Sequence, residues 1–282
     1  MTEIRRPFPI GRRGMVLLLL LLAGAASGVA LELSPRQLAP HAGGLEIARR
    51  FFEAALSPAL SYESTPPSGS TPLPMKALDA ARRTVVFAAA GMSLAVVLGI
   101  LLAFPASSAW WEGDLGRRWR VAPLLWGGTR TLIALMRSVH ELLWAVLFLA
   151  ALGLNTFAAV IALAIPYAGT LAKVFSEMID EAARDSAHAL RATGASPAQV
   201  FFFGLLPRAL PDMAAYAFYR FECAVRSSAI LGFFGYETLG FFLRQSFENL
   251  HYREVWTYLY TLFALVAILD VWSGRLRGRF AP

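Results

Sequence analysis

The side chains most able to do chemistry in this sequence are charges that lie inside long apolar stretches. One group occupies a single run, Tyr219-Arg220-Phe221-Glu222-Cys223-Ala224-Val225-Arg226. Ionisable groups in a membrane span are costly unless they are paired or hydrated, so they are site candidates by default. Glu222 and Arg226 are four residues apart with the acid first, so we expect them to neutralise each other. Arg220 points elsewhere on the helix and is expected to lack a local partner, so it should face a polar cavity, a carboxylate of another helix or an interface.

A second group is formed by Arg137, His140 and Glu141, whose spacing places them on one face of a continuous helix and allows a local ion pair. Guanidinium groups that line a path favour an anionic, phosphonate-like substrate, because they form bidentate hydrogen bonds with oxyanions. Two alternatives stay open, namely structural ion pairs that fix helix register and, for the second group, the cytoplasmic end of a span. The residues predicted to line a translocation pathway or to form buried ion pairs are Arg137, His140, Glu141, Arg220, Glu222 and Arg226.

The sequence gives little indication of catalysis, metal binding, disulfide formation or ATP hydrolysis by this chain. The four histidines, His41, His140, His188 and His251, are scattered and have no zinc-site spacing, and no nucleophile and base can be paired. The single cysteine, Cys223, excludes an intrachain disulfide, and no Walker A sequence is present. We therefore expect no catalytic residue, metal site or cofactor in this chain. A membrane-embedded enzyme or scaffold that uses His140, Glu141 and Arg220 is the competing hypothesis.

The composition places these groups in a membrane protein. The 282 residues are 57% hydrophobic and only 16% charged, whereas soluble domains carry about 25% charged residues. The formal net charge of +7 would suggest nucleic acid for a soluble chain, but here the arginines lie at the ends of apolar runs, which indicates membrane orientation instead. The sequence predicts an all-α membrane protein with about six spans. A long helix pattern runs from Pro123 to about Gly153; its first half is expected at the cytoplasmic boundary and its second half, from about Ser138, as the third span. The fourth span is expected to be broken at Pro166. The expected spans are residues 15–30, 84–104, 138–153, 157–175, 210–234 and 255–271.

The segment ahead of the second span is expected to be external. Residues 1–31 would form an N-terminal tail and a first span, with a cleaved signal peptide as the alternative. Residues 32–78 contain an amphipathic helix around Phe51, which is expected to lie along the outer membrane surface as a docking surface or as a simple anchor. Residues 79–282 form the remaining core, with a cytoplasmic loop at 176–207.

Arginine and lysine positions orient the spans. The chain has 26 such residues, and most of them fall in segments proposed to be cytoplasmic, which places both termini and the 176–207 loop in the cytoplasm. Of the other ten, Arg220 and Arg226 lie within a span and eight lie near the outside; Arg82 and Arg83, at the outer end of the second span, are the weakest point of this orientation. The residues assigned to the cytoplasmic side are Arg5, Arg6, Arg12, Arg13, Arg117, Arg118, Arg120, Arg130, Arg137, Lys173, Arg184, Arg191, Arg208, Arg275, Arg277 and Arg279.

Within that loop, the pattern predicts a tight helical hairpin. A helix runs to Thr193, Gly194 occupies the left-handed C-cap position, and Ser196-Pro197 supplies an N-cap followed by proline at the first helical position. The next helix is expected to stop before Pro207.

This hairpin resembles the EAA loop of ABC importer permeases, in which EAA is followed by three residues, glycine, nine residues and I-x-LP. Gly194 matches the glycine of this pattern, and Leu206-Pro207 match its final LP. His188 stands at the glutamate position and Gly204 at the isoleucine position. The literal Glu-Ala-Ala that begins at Glu181 belongs to the preceding helix. The resemblance implies that this loop couples the chain to a cytoplasmic ATPase. The implied coupling residues are His188, Ala189, Leu190, Arg191, Gly194, Val200, Phe203, Leu206 and Pro207.

Three longer segments, RSVHELLWA, LRATGAS and YRFECAVRS, resemble the phosphonate (PhnE-like) permease family over residues 130–235; the likeness ends after Gly235. It implies a MetI-like importer core with one extra N-terminal span in a bacterial inner membrane. It also implies a homodimer, cytoplasmic ATPase subunits that hold ATP and Mg²⁺, and an external solute-binding protein. The implied function is import of a small anion, a phosphonate or a related phosphorus oxyanion, by alternating access; import of another small solute, such as an amino-acid-like compound, is the alternative.

Overall fold

The computed structural model describes residues 12–34, 43–65, 69–111 and 121–280. Within these ranges the ordered elements are all helices, which confirms the all-α prediction. Short 3-10 turns at Ala109–Trp111 and Leu231–Phe234 and a π-helical turn at Val200–Leu205 join some of them. The helices are α1 Arg12–Ala30, α2 Gly44–Ala55, α3 Leu73–Ala106, α4 Ala122–Ser138, α5 Glu141–Leu152, α6 Thr156–Glu181, α7 Asp185–Ala192, α8 Pro197–Gln199, α9 Leu206–Ile230, α10 Leu239–Glu248 and α11 Tyr252–Phe280.

The chain divides into two compact units, residues 1–53 and 54–282. In the first unit, the leucines of α1 are exposed on every side, as expected for a helix that contacts lipid. The predicted amphipathic segment is helical as α2. Its polar face carries two ion pairs, Arg49–Glu53 and Arg50–Glu46, and the partners in each pair are one helical turn apart.

Three helices of the described residues are long and apolar enough to cross a membrane, namely α3, α6 and α11 from Tyr252 to Gly278. The pair α4 and α5 passes the same test as one span broken by an 89° bend, which brings the number to four. The apolar part of α1, Gly14–Ala30, is shorter, and α9 carries Arg220, Glu222 and Arg226. The expected total of six spans therefore stays a prediction.

The core is built on close contact between α3 and α6. A Cβ added to Gly91 or Gly99 of α3 would lie 2.9 or 2.8 Å from the Cβ atoms of Leu163 and Leu171 on α6. Small residues at such positions let helices pack tightly where no hydrophobic effect drives association. Contrary to the sequence prediction, Pro166 does not break α6, because packed neighbours maintain a helix that lacks one N–H donor.

The sequence prediction was also wrong about two helix boundaries. The helix expected to run from Pro123 to Gly153 is interrupted: Val139 is extended, and the imidazole Nδ1 of His140 accepts a hydrogen bond from Leu142 N as the N-cap of α5. The helix after the hairpin does not stop before Pro207; it continues through the π-helical turn into α9. Proline is tolerated there because the first helical turn needs no amide donor.

A buried polar network joins α3, α9 and α10 at one end of the core. Ser228 Oγ donates to Thr84 O, Leu239 N donates to Thr84 Oγ1, and Thr238 Oγ1 donates to Ala229 O. The sequence prediction had an external loop between the spans 210–234 and 255–271 and therefore missed α10. Its position depends on these contacts with distant residues, which short-range periodicity does not report.

Gly240→Ala is predicted to destabilise this junction strongly. A Cβ on Gly240 would overlap the carbonyl oxygen of Ala229, and a backbone obstruction cannot move aside as a side chain can. We expect a loss of about 3 kcal/mol or more, seen as a lower thermal unfolding midpoint in detergent. Gly128→Ala in α4 is the matched control, since nothing lies within 4 Å of its added Cβ; equal midpoints for both variants would contradict the prediction.

Candidate functional site

The hairpin between α7 and α8 has the geometry expected from its sequence. Thr193 is the C-cap of α7, and Gly194 has φ +80°, a left-handed conformation that suits glycine. Ser196 Oγ accepts from Gln199 N, and the Gln199 side chain accepts from Ser196 N, which forms a reciprocal capping box. Rigid caps on both helices therefore fix the angle of the turn.

The predicted coupling residues separate into an outer and an inner set. The outer set is exposed and can touch a partner, whereas Leu190 and Leu206 are half-buried. Val200 is 2% exposed and packs in the main core, so its predicted role in docking is wrong. The exposed residues are His188, Ala189, Arg191, Gly194, Phe203 and Pro207.

The inner side of the hairpin is bound tightly to the start of α9. Ser186 Oγ donates to Gly204 O at 2.9 Å. A Cβ on Gly204 would lie 3.2 Å from Leu190 Cδ1 and 3.3 Å from Ala187 Cα, so glycine, where the family pattern has isoleucine, lets α7 approach the π-helical turn. Phe201 and Phe202, earlier in the same turn, make edge contacts with Trp110. These contacts pack α7, the π-helical turn and the turn at Ala109–Trp111 against one another.

Asp180, near the end of α6, connects three elements next to the hairpin. Its Oδ1 accepts from Ser107 Oγ at 2.6 Å and Ala109 N at 3.0 Å, and its Oδ2 accepts from Ser108 N at 3.0 Å. Arg130 of α4 adds a contact of 3.7 Å to Oδ2. The sequence analysis missed this residue, because a lone aspartate before a loop carries no local signal of partners more than seventy residues away.

Arg220 of α9 faces a polar cavity, as expected. The cavity has a volume of about 320 Å³. The expectation that Arg220 lacks a local partner is wrong, since its Nε donates to Tyr216 Oη at 3.0 Å. Its guanidinium carbon lies 5.5 Å from the Tyr216 ring centroid and 6.0 Å from that of Tyr167. The cavity is lined by Glu141, Pro166, Tyr167, Thr170, Arg220, Cys223, Arg226 and Ser227.

One wall of this cavity is a hydrogen-bonded chain of three side chains. Ser227 Oγ donates to Glu141 Oε1 at 2.8 Å, and Tyr167 Oη lies 3.0 Å from Ser227 Oγ. His140 Nε2 approaches Glu141 Oε2 at 3.6 Å. The helix break before Glu141 thus aims its carboxylate at α6 and α9.

The other predicted site residues lie elsewhere or pair differently. The break at Val139 separates Arg137 from Glu141, and Arg137 is exposed, outside the cavity lining. Glu222 and Arg226 interact electrostatically but make no direct ion-pair contact in the described part of the chain. Glu222 Oε2 lies 3.5 Å from Arg277 Nη1 of α11, whereas Arg226 Nη2 contacts Cys223 Sγ at 3.5 Å. Glu222 therefore joins α9 to α11, and Arg226 remains available to the cavity.

A larger cavity of about 930 Å³ lies beside the hairpin. It is lined by Glu181 and Arg208 near the hairpin, by Arg277 of α11, and by Tyr216, which bonds to Arg220 of the smaller cavity. Tyr216 therefore links the two cavities. Among residues 12–34, 43–65, 69–111 and 121–280, no three His, Cys, Asp or Glu side chains cluster as metal ligands.

Sequence comparison places relatives of the chain among transport proteins. Residues 73–282 match the profile of the family described as binding-protein-dependent transport system inner membrane component. A phosphite transport system permease protein, PtxC of Stutzerimonas stutzeri, is 34% identical over 70% of this chain and 68% of its own length. The phosphate-import permease protein PhnE of Mycolicibacterium smegmatis is 32% identical over 69% of this chain, a match that covers 34% of that relative.

Solved structures share the fold at low sequence identity. A chain of an amino acid ABC transporter crystallised with histidines matches with a TM-score of 0.59 and 19% identity, over 73% of this chain and 94% of its own. A chain of the MetNI methionine ABC transporter in an inward-facing conformation gives a TM-score of 0.57 and 20% identity, over 74% and 95% of the two chains. At this identity the likeness establishes the MetI-like fold.

Proposed function

Because this chain belongs to the family of binding-protein-dependent transport system inner membrane components, we propose that it is the permease subunit of an ATP-driven importer for a small phosphorus oxyanion. The family consists of transport subunits rather than enzymes, so the work of the chain is conformational. Relatives named for phosphite and phosphate transport support the choice of solute.

The observation that carries the substrate class is the polar cavity beside Arg220. Arg220 and Arg226 of α9 supply positive charge and guanidinium N–H donors. The hydroxyl groups of Tyr167, Thr170 and Ser227 make the rest of the lining polar, with hydrogen bonds to one another or to neighbouring acceptors. A tetrahedral oxyanion needs several donors around it, and guanidinium groups bind phosphorus oxyanions in a planar, bidentate manner. Such a group of donors inside apolar helices suits the transient binding of an anion.

The proposal assigns partners to the two ends of the molecule. The exposed residues of the hairpin would dock on cytoplasmic ATPase subunits that hold ATP and Mg²⁺, and a solute-binding protein would deliver the anion on the other side. A second copy of this chain, or a related permease subunit, would complete the pathway. This arrangement has both termini in the cytoplasm and the chain in the bacterial inner membrane.

The proposed mechanism is alternating access driven through the hairpin. ATP-dependent closure of the ATPase would move α7 and α8, and the contacts of Gly204, Phe201 and Trp110 would pass this movement to α9. Since Arg220 lies on α9, its cavity would face the outside in one state and the larger cavity beside the hairpin in the other. Packed elements with two discrete arrangements provide such switching.

The test is a comparison of solutes in proteoliposomes that contain the whole complex. We expect ATP-dependent accumulation of phosphite or methylphosphonate when the matching binding protein is present. Histidine and methionine, the solutes of the structural neighbours, serve as the comparison and should not accumulate. Accumulation of an amino acid without any phosphorus oxyanion would contradict the proposal.

A further inference from the structure

The Arg220 cavity contains one group that a simple anion site would exclude. Glu141 lines it together with Arg220, Arg226 and Thr170, and its side chain is 23% exposed. A carboxylate beside a bound anion repels it, and it also accepts hydrogen bonds without donating any. Its presence therefore restricts which anions can bind.

The hydrogen bonds around Glu141 fix it as an acceptor. Ser227 has one hydroxyl hydrogen, and it is directed to Glu141 Oε1 at 2.8 Å. The contact of 3.0 Å between Tyr167 Oη and Ser227 Oγ must then be donated by Tyr167. His140 Nδ1 already accepts from Leu142 N, so a neutral ring carries its proton on Nε2, the atom that faces Glu141 Oε2. The hydrogens of Ser227 and His140 thus point towards the carboxylate, and that of Tyr167 points towards Ser227.

From this arrangement we propose that Glu141 selects oxyanions that retain a hydroxyl group. Such anions are hydrogen phosphate and the monoanions of phosphite and of phosphonates. Their P–OH would donate to a remaining lone pair of Glu141, while their other oxygens accept from the guanidinium groups of Arg220 and Arg226, which line the same cavity. Sulfate at neutral pH has no hydrogen to donate, so one of its oxygens would face the Glu141 carboxylate, acceptor against acceptor. This arrangement raises the binding free energy more than the absence of one hydrogen bond would.

This inference rests on the proposed function, since it requires that the cavity receives the transported oxyanion. It adds a selection step in the permease that is independent of the external binding protein. Discrimination against an analogue that lacks one hydrogen is large when the site is built to accept a hydrogen bond from it.

Cys223 gives a direct reporter of occupancy. It is the only cysteine of the chain, it is half-buried, and it lines the same cavity. The experiment uses the permease and ATPase complex without binding protein and follows maleimide labelling of this chain by mass spectrometry. We expect inorganic phosphate to slow labelling several-fold and sulfate at the same concentration to leave the rate unchanged.

Glu141→Gln tests the role of the carboxylate, because an amide can donate as well as accept. In this variant sulfate is expected to slow labelling as phosphate does. Glu177→Gln is the matched control, since Glu177 pairs with Lys173 on α6 outside the cavity, and it should keep the difference between the two anions.

The possible outcomes separate the two proposals. If neither anion slows labelling of the unmodified complex, the cavity does not take an oxyanion, and the proposed function fails together with the inference. If phosphate and sulfate protect equally, or if Glu141→Gln folds and still excludes sulfate, the selection by Glu141 is overturned and the proposed function stands. The comparison in the unmodified complex requires no variant to fold.

Discussion

Arg220→Met is expected to reduce ATP-dependent uptake of phosphite by about 10- to 100-fold, because a hydrogen bond to a charged group contributes about 1.5–3 kcal/mol and each 1.4 kcal/mol is a factor of ten. Methionine keeps a similar apolar stem but removes the guanidinium that faces the cavity. The substitution also removes the hydrogen bond from Arg220 to Tyr216. The Tyr216 hydroxyl lines the larger cavity, so it can bind water instead. Initial uptake rates in proteoliposomes measure the effect.

The control for this variant is Arg82→Met. Arg82 is paired with Asp79 on the exposed surface of α3, far along the chain from the cavity residues. Both variant complexes should elute intact on gel filtration, and only Arg220→Met should transport slowly. Normal uptake by Arg220→Met would remove Arg220 from the pathway.

Phe203→Ala is expected to weaken the association with the ATPase by about 1.5–3 kcal/mol, the contribution of a fully buried aromatic side chain. Phe203 is 73% exposed beside Gly194 at the hairpin, so its removal leaves the core intact. In the proposed docking, His188 occupies the position of the usual glutamate, so apolar contacts would carry a larger share of the binding. Copurification and solute-stimulated ATP hydrolysis measure the loss.

Gly194→Val provides a second way to disturb the same hairpin. A β-branched residue at φ +80° is strained by about 1–2 kcal/mol, so the turn would change its angle. Phe157→Ala is the matched control, since Phe157 is 65% exposed at the opposite end of α6. Unchanged ATPase association for both hairpin variants would overturn the coupling assignment.

The parts of the molecule that the sequence predicted are those specified by local chemistry. The caps at Gly194 and Ser196 act within four residues, and the structure has both as expected. Arg220 was recognised because an arginine inside an apolar run must reach a polar space, and it lines a cavity. Family resemblance, confirmed by the profile match over 73–282, supplied the fold.

The wrong sequence predictions concern features that depend on contacts between residues far apart in the chain. Glu222 pairs with Arg277 on another helix, although Arg226 was nearer in sequence. The break before His140 separates residues whose spacing suggested one helix face, and it brings Glu141 to Ser227, 86 residues away. Val200 appeared apolar enough to dock, but the core of the chain already buries it.

The central claim is that an oxyanion passes through the cavity between Arg220 and Glu141. The most direct test is a structure of the full complex with its ATPase, its binding protein and phosphite, held in the closed state by a transition-state analogue of ATP hydrolysis. We predict density for the anion within hydrogen-bonding distance of Arg220 and of the Ser227 and Glu141 pair. An anion bound away from these residues, with the Arg220 cavity closed, would contradict the account.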